Sequence, residues 1–275
     1  MRFLILTPVL NGARYLDAAL QSVRAQYHQD WKLIVCDGGS SDGTLDIARR
    51  HASEDQRITV ESASDAGMYD ALRRQFDRFS GRAEVLSWLN SDDLYTPWAL
   101  IEADAAFVRG ALWVTGLPGL FDNHGRLRAV LPCGENRRSD ILAGRRHDGF
   151  LGAIQQESVF FSTALYADLT PIERDIFATQ TLAGDFHLWR CFARRAELVT
   201  LSSVLGGFRL HSKNRSRLNP EVYESEVAAL GATQPPRLIA RLWRYLHNRS
   251  AARAAFKAYE TAAAELANEV SSIQR

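Results

Sequence analysis

"FLILTPVLNGARYLDAALQSVRAQYHQDWKLIVCD", residues 3–37, decides how the chain folds. It opens on a short apolar run, "FLILT" (3–7), of the kind that fills a buried strand. After a loop, Tyr15, Leu16, Ala19, Leu20, Val23 and Tyr27 recur at spacings of one, three and four, which places them on one face of a helix. "LIVC" (33–36) is then a second apolar strand. A strand, a helix and a strand joined by short loops imply parallel neighbours in one sheet.

The alternation continues downstream. "GTLDIARRHA" (43–52) reads as a helix behind a Ser/Asp/Gly start signal, "ITV" (58–60) as a strand, 68–79 as a helix and "VLSWL" (85–89) as a strand. A helix is expected from Pro97 to Val108, with Thr96 as its capping hydroxyl and Leu100, Ile101, Ala105 and Val108 on one side. "ALWVTG" (111–116) is a fifth strand. The expected fold is α/β, a mostly parallel central sheet with helices on both faces. Further strands are read at "LRAVLP" (127–132), "SVFFS" (158–162) and "LVTLSSVLGGFRLH" (198–211), with a helix from about Asp185 to Ala196. Beyond Asn219 the chain turns rich in Ala, Arg and Glu and reads as a helical C-terminal extension. The divisions are 1–115, 116–218 and 219–275.

Composition narrows the classes of function. Thirty-three Lys and Arg against 32 Asp and Glu leave a charge of +1, which excludes a general nucleic-acid binder with its basic excess. Cys36, Cys133 and Cys191 are odd in number and widely spaced, so neither a disulfide framework nor a zinc knuckle is implied. "MRFLILTPVLNG" is too short in its apolar part for a signal peptide, and no apolar stretch is long enough to span a bilayer. The expectation is a cytoplasmic protein.

In parallel sheets of this type, ligands bind beyond the carboxyl ends of the strands. This sequence places Thr7, Asp37, Asp65 and the pair Asp92–Asp93 there, in "VLSWLNSDDLYTP" (85–97) for the last of them. Adjacent carboxylates beside a buried strand repel and lose hydration. One reading is a polar turn capping the next helix; the favoured one is a hard divalent cation, Mg2+ or Mn2+, shared with a diphosphate. "VCDGGSSDGT" (35–44) carries neither G-x-G-x-x-G nor a Walker A lysine, which counts against a dehydrogenase. Asp37 is placed to accept a hydrogen bond from a nucleobase, and Ser40, Ser41 and Asp42 to cap the following helix.

These segments resemble those of family 2 glycosyltransferases, which have the A-type nucleotide-sugar fold. The opening "TPVLNGARYLDAALQSVRAQYHQDWKLIVCDGGSSDGT" is similar to theirs. "SASDAGMYDAL" (62–72) resembles S-E-x-D-x-G-I-Y-D-A-M-N, and "LNSDDLYTPWAL" the metal-binding D-x-D region. "GDFHLWRCFARRA" (184–196) resembles the later E-D-Y-D-L-W-L-R element, and "GGFRLH" (206–211) the closing strand. The matches run in order from about residue 3 to 212.

The resemblance implies that residues 1–115 bind the nucleotide sugar and 116–218 the acceptor. Thr7, Pro8 and Asn11 border the nucleoside, Asp37 and Asp65 contact base or ribose, and Ser91 lies where a ribose-binding acid is common. Asp92 becomes the metal ligand, supported by Asp93, with His211 at a position that assists metal binding in some relatives. Asp185 takes the place of the general base of inverting members. The implied partners are a nucleoside diphosphate sugar donor and a saccharide or lipid-linked saccharide acceptor, and the implied process is cell-surface polysaccharide or glycolipid assembly. The chain departs from the pattern at Asn90, Ala63, Ala66, Arg73 and Gly184.

On its own residues, Asp185 is equally a helix N-cap, and His211 a structural histidine at a strand end. Gln155 and Gln156 match a glutamine of relatives and are candidates to touch the acceptor. A sugar nucleotidyltransferase needs a Gly-rich basic loop that "TPVLNGARYL" lacks; a non-catalytic nucleotide-sugar-binding subunit needs neither Asp92 nor Asp185. In "RLIARLWRYLHNR" (237–249), Leu238, Ile239, Leu242, Tyr245 and Leu246 form one face and the arginines lie mostly elsewhere. Such a helix packs on the core, pairs with a second copy of the chain, or lies on an anionic membrane surface.

Overall fold

A computed structural model describes residues 1–131, 135–147 and 151–233, together with Leu242 and Leu246. The chain order is β1 (Phe3–Val9), α1 (Ala13–Arg24), β2 (Trp31–Asp37), α2 (Thr44–Glu54), β3 (Ile58–Ser62), α3 (Met68–Phe79), β4 (Val85–Trp88), β5 (Leu94–Tyr95) and α4 (Ala99–Val108). It continues with β6 (Trp113–Thr115), β7 (Gly119–Phe121), β8 (Leu127–Val130), α5 (Arg138–Leu142), β9 (Phe160–Ser162), α6 (Thr163–Ala167) and α7 (Pro171–Ala178). Last come α8 (Gly184–Ala193), β10 (Val199–Thr200), β11 (Gly206–Arg209), α9 (Arg215–Leu218) and α10 (Pro220–Ala229).

Among the described residues, seven strands form one sheet in the order β10-β6-β9-β4-β1-β2-β3, and four form a second, β5-β11-β7-β8. β1 runs parallel to β2 and β4, and β2 to β3, as the strand–helix alternation requires. The expected α/β fold is the fold adopted. Its exception is β9, which lies antiparallel between β4 and β6.

Because strand side chains alternate between faces, the apolar runs fill two cores. Phe3, Ile5, Leu33, Val35 and Val85 pack with Leu16, Leu20 and Val23 of α1 and Leu100, Ala103 and Phe107 of α4. Leu4, Leu6, Ile34, Leu86 and Trp88 face the other way, onto Leu72 and Phe76 of α3 and Trp189 and Phe192 of α8. Trp88 stacks on Trp189 with centroids 5.5 Å apart. Cys36 and Cys191 are buried, and burial pushes each thiol up to about 12; Cys133 lies outside the described residues.

The structure corrects three local expectations. Thr96 does not cap α4: its hydroxyl donates to the Val204 and Leu205 carbonyls, so it ties β5 to the chain before β11, and the helix starts at Ala99. α4 buries its alanines, Ala99, Ala103 and Ala106, with Leu100 and Phe107, while Ile101 and Val108 are exposed. Small side chains let this helix approach the sheet closely, so bulk misidentified its inner face. Tyr27 lies beyond the end of α1 and is exposed.

The residue 115/116 division separates no layers, since β9 and β10 complete the large sheet begun by β1–β4. Of the 237–249 segment only Leu242 and Leu246 are described, both exposed; the rest lies outside the described residues. No helix among the described residues is long and apolar enough to cross a membrane.

α7 opens with a capping box, Thr170 and Glu173 exchanging side-chain-to-backbone hydrogen bonds. Glu173 also pairs with Arg194 at 3.1 Å and Arg195 at 2.8 Å beyond α8. Partial burial opposes its ionisation, but the hydrogen bonds from Arg195 and Thr170 outweigh it and hold the carboxyl down to about 2. Glu173→Gln is therefore expected to lower stability at pH 7 by roughly 1–3 kcal/mol. A depressed carboxyl stabilises the fold only above its unfolded value, so the gap to wild type should shrink as pH falls below 4.5 and vanish near 2. Thermal melts across that range check both size and sign.

Candidate active site

Parallel register aligns the strand ends. Val9 pairs with Asp37, and Asp37 with Ser62, so the loops after β1, β2 and β3 open on one rim. Thr7 and Pro8 lie inside β1 and are buried, and the Thr7 hydroxyl meets no hydrogen-bond partner among the described residues. Asn11 is in the loop with φ of 53°, a left-handed conformation that Asn tolerates. Its N–H donates to the Ser40 hydroxyl at 2.8 Å and its side-chain oxygen accepts from the Ser41 N–H at 2.9 Å. The first two loops are thereby laced together.

Asp37 is buried and accepts from Ser62 Oγ at 2.6 Å and from the N–H groups of Gly39 and Ser40. Burial would raise its carboxyl, but these hydrogen bonds prevail and hold it below the usual range. Asp65 accepts from the Gly67 N–H at 2.9 Å, and a Cβ on Gly38 would lie 3.0 Å from its other oxygen. Both acids line a cavity of about 200 Å³ with Ser62, Arg74 and Gln75. Asp42 caps two helix starts at once, accepting from the N–H groups of Ala13 and Thr44.

The loop after β4 carries the acid pair, and its two members differ. A Cβ on Gly12 would lie 3.0 Å from Ser91 Oγ, so this loop abuts the one after β1. Asp92 is partly exposed and meets His211 Nε2 at 2.9 Å. His211 Nδ1 lies 3.1 Å from the Lys213 N–H and Nε2 3.0 Å from Asn214 Nδ2, so the ring is held from both edges. Its ring lies 4.5 Å from that of Tyr15.

Asp93 is fully buried: one oxygen accepts from the Arg209 N–H at 2.8 Å and the other from Asn90 Nδ2 at 3.1 Å. Burial raises its carboxyl well above the usual range, with Glu157 and Asp92 adding to the effect. Glu157, just before β9, is also buried, and burial pushes its carboxyl up to about 7. Burial thus favours the neutral form of both carboxyls.

Three residues that the sequence did not single out belong here. Glu157 is one. Arg209 is buried, lies 4.9 Å from the Tyr15 ring centroid, and its Nε and Nη2 find no partner among the described residues. Burial lowers its proton affinity while Asp93 and Asp92 support the charge. Tyr15 is the third, set between Arg209 and His211. A buried guanidinium beside acids looks like core filler in a sequence; only the fold shows its unmet N–H groups.

Asp185 occupies the first turn of α8, and its carboxylate accepts from the Phe186 N–H at 2.8 Å. The helix begins one residue earlier than the sequence suggests, with Ala183 at the N-cap position. Gly184 is required there, because a Cβ would stand 2.7 Å from the ring of Tyr69. Asp185 acts electrostatically on Glu157, as Asp92 does, so the acids of β4, β9 and α8 face a common region. Gln155 and Gln156 serve the frame: Gln155 bonds both backbone groups of Gly119, and Gln156 joins Asn90 to the Trp88 carbonyl.

No group of three or more His, Cys, Asp or Glu side chains is placed to hold a metal among the described residues. An all-protein cage is therefore not built. One partly open carboxylate beside a phosphate is, however, how Mg2+-type ions are often held, with substrate oxygens and water completing the shell. Asp92 fits that role by exposure, and Asp93 does not.

Residues 4–118 match the family model described as Glycosyl transferase family 2. A PGL/p-HBAD biosynthesis glycosyltransferase of Mycobacterium bovis is 39% identical over 213 residues, covering 72% of each chain. A Mycobacterium tuberculosis protein of the same name matches equally. Among solved structures, S. aureus TarS 1-349 in complex with UDP-GlcNAc superposes with a TM-score of 0.62 at 16% identity, over 89% of this chain and 70% of that one. The mannosyltransferase PcManGT of Pyrobaculum calidifontis, in complex with GDP-Man and Mn2+, gives a TM-score of 0.60 at 18% identity, over 98% and 79%.

The geometry makes Asp93 the support of its loop. Asp93→Ala should leave the Arg209 N–H and the Asn90 amide unmet in a dry site and cost roughly 2–4 kcal/mol. Asp93→Asn, which keeps an oxygen to accept from the Arg209 N–H, should cost less. Urea unfolding of the two variants measures the difference; wild-type stability in the alanine variant would contradict the assignment.

Proposed function

The chain belongs to glycosyl transferase family 2, and on that premise we propose that it transfers a sugar, with inversion, from a nucleoside diphosphate sugar to an acceptor hydroxyl. What supports this reading is a partly open Asp92 beside a buried Arg209 with unmet N–H groups, together with Asp185 in the first turn of α8, whose charge, like that of Asp92, reaches Glu157. The nucleoside lies against Asn11, Asp37 and Asp65, in the cavity beside β2 and β3, with Ser91 toward the ribose. Arg209 offers its planar fork to the diphosphate, a geometry suited to phosphate oxygens. Asp92 would hold a Mg2+ or Mn2+ ion, with His211 fixing the carboxylate. When bound, such an ion neutralises charge on a leaving diphosphate.

Asp185 takes the proton from the acceptor hydroxyl as it attacks the anomeric carbon. Its place on a helix buried against Trp88 and Phe177 keeps it fixed relative to the sheet. The mycobacterial relatives are named for PGL/p-HBAD biosynthesis, which favours a saccharide or lipid-linked saccharide acceptor in cell-surface glycan assembly. The TarS and PcManGT complexes with UDP-GlcNAc and with GDP-Man and Mn2+ favour the donor and metal assignments.

Calorimetric titration with UDP, GDP and dTDP, each with and without Mn2+, is expected to give one nucleotide class with metal-dependent affinity. Asp92→Ala should weaken that binding. Asp185→Asn should leave it within about twofold while lowering turnover by about 10²–10⁴, the usual worth of a general base. Full turnover in Asp185→Asn would remove the base assignment, and metal-independent binding the role of Asp92. Donor binding without any turnover would favour a non-catalytic binding subunit.

A further inference from the structure

We propose that Glu226, on α10, is a positioning residue for the transfer reaction, acting through the helix start that carries Asp185; this rests on the reading of Asp185 as the base. The first N–H groups of a helix have no partner within it and need an acceptor from outside. At α8 the N-cap residue is Ala183, whose side chain accepts nothing. For Ala183 and the two residues before it, an acceptor comes from far along the chain. Glu226 Oε1 accepts from the Thr181 N–H at 2.7 Å, and Oε2 from the N–H groups of Leu182 and Ala183 at 2.8 Å each.

Three short hydrogen bonds to one carboxylate, at the positive end of a helix, are a strong and directional anchor. They end two residues before Asp185. Other contacts from the same segment seat the clamp. Ala183 and Phe186 of the α8 start pack on Val227, with Tyr223, Leu230 and Ala232 around them, and Arg190 of α8 donates to the Leu230 carbonyl. From the opposite side the Tyr69 hydroxyl donates to the Leu182 carbonyl at 3.1 Å, and the Tyr69 ring closes on Gly184. The turn that presents Asp185 is thus held between α3 and α10. What the sequence suggests to be an appended extension supplies, in its first helix, part of the frame of the reaction.

A base misplaced by about 1 Å loses on the order of 10²-fold in rate, so loosening this turn should appear in kcat before it appears in donor binding. The test uses Glu226→Ala and Glu226→Gln in the full chain, each in wild-type and Asp185→Asn backgrounds. The readouts are thermal stability, donor affinity by calorimetry, and nucleoside diphosphate release from whichever of a panel of UDP-, GDP- and dTDP-hexoses the wild type turns over. Expected are a kcat loss of about 10- to 100-fold in Glu226→Ala with donor KM within about threefold. Glu226→Gln should recover part of it, having an oxygen to accept with. In the Asp185→Asn background Glu226→Ala should lower the rate no further, because coupled residues are not additive.

Wild-type kcat in folded Glu226→Ala, or equal losses in both backgrounds, would overturn the proposal. Should Glu226→Ala fail to fold, the same comparison in Glu226→Gln decides it. Full turnover of Asp185→Asn alone would strike the base assignment rather than the clamp.

Discussion

The site depends on one buried carboxylate. Asp93 accepts from the backbone of β11 with one oxygen and from Asn90 with the other, so it fastens the small sheet to the end of β4. Two acids in a dry interior would cost several kcal/mol if both were ionised, and burial drives both Asp93 and Glu157 toward the neutral form. With that partner fixed inward, the adjacent backbone turns Asp92 outward toward His211. The neighbours in sequence thus part by burial, Asp93 locked into the frame and Asp92 partly open.

The large sheet was legible because strands buried on both faces are written as unbroken apolar runs, and α1 was legible because its apolar positions recur at helical spacing. Of the second sheet only β8 and β11 fell within segments read as strands; β5 spans two residues and β7 three, too short for any periodicity. Of the candidate site, Asp37, Asp65, Asp92 and Asp185 were visible because acids after apolar strands stand out, and because their motifs resemble those of a known family. Arg209 sits in a quoted segment and Glu157 between Gln156 and "SVFFS", yet neither drew notice, since nothing in a sequence reports which hydrogen bonds a charged group lacks. Glu226 is further from view still: its partners, Thr181 to Ala183, are a helix-start loop that carries no local signal of needing an acceptor.

β11 and the segments beside it meet their neighbours where side chains are absent. A Cβ on Gly206 would lie 2.2 Å from the Glu157 carbonyl, one on Gly116 2.5 Å from that of Ser203, and one on Gly207 2.6 Å from that of Gly119. Backbone here packs on backbone, which is why "VLGGF" (204–208) carries adjacent glycines inside what otherwise reads as a strand. The close approach brings Arg209 and His211 within reach of the loop after β4.

The antiparallel β9 has a consequence for how the molecule comes into being. Val85 pairs with Ser162 and Trp113 with Phe161, so the gap between β4 and β6 stays open until residues far downstream have left the ribosome. Until then the nascent chain exposes two bare strand edges, a template for pairing between molecules. Pairings of such separation also slow folding. A piece ending near residue 115 would carry those edges permanently, and aggregation rather than an autonomous half-enzyme is its natural fate.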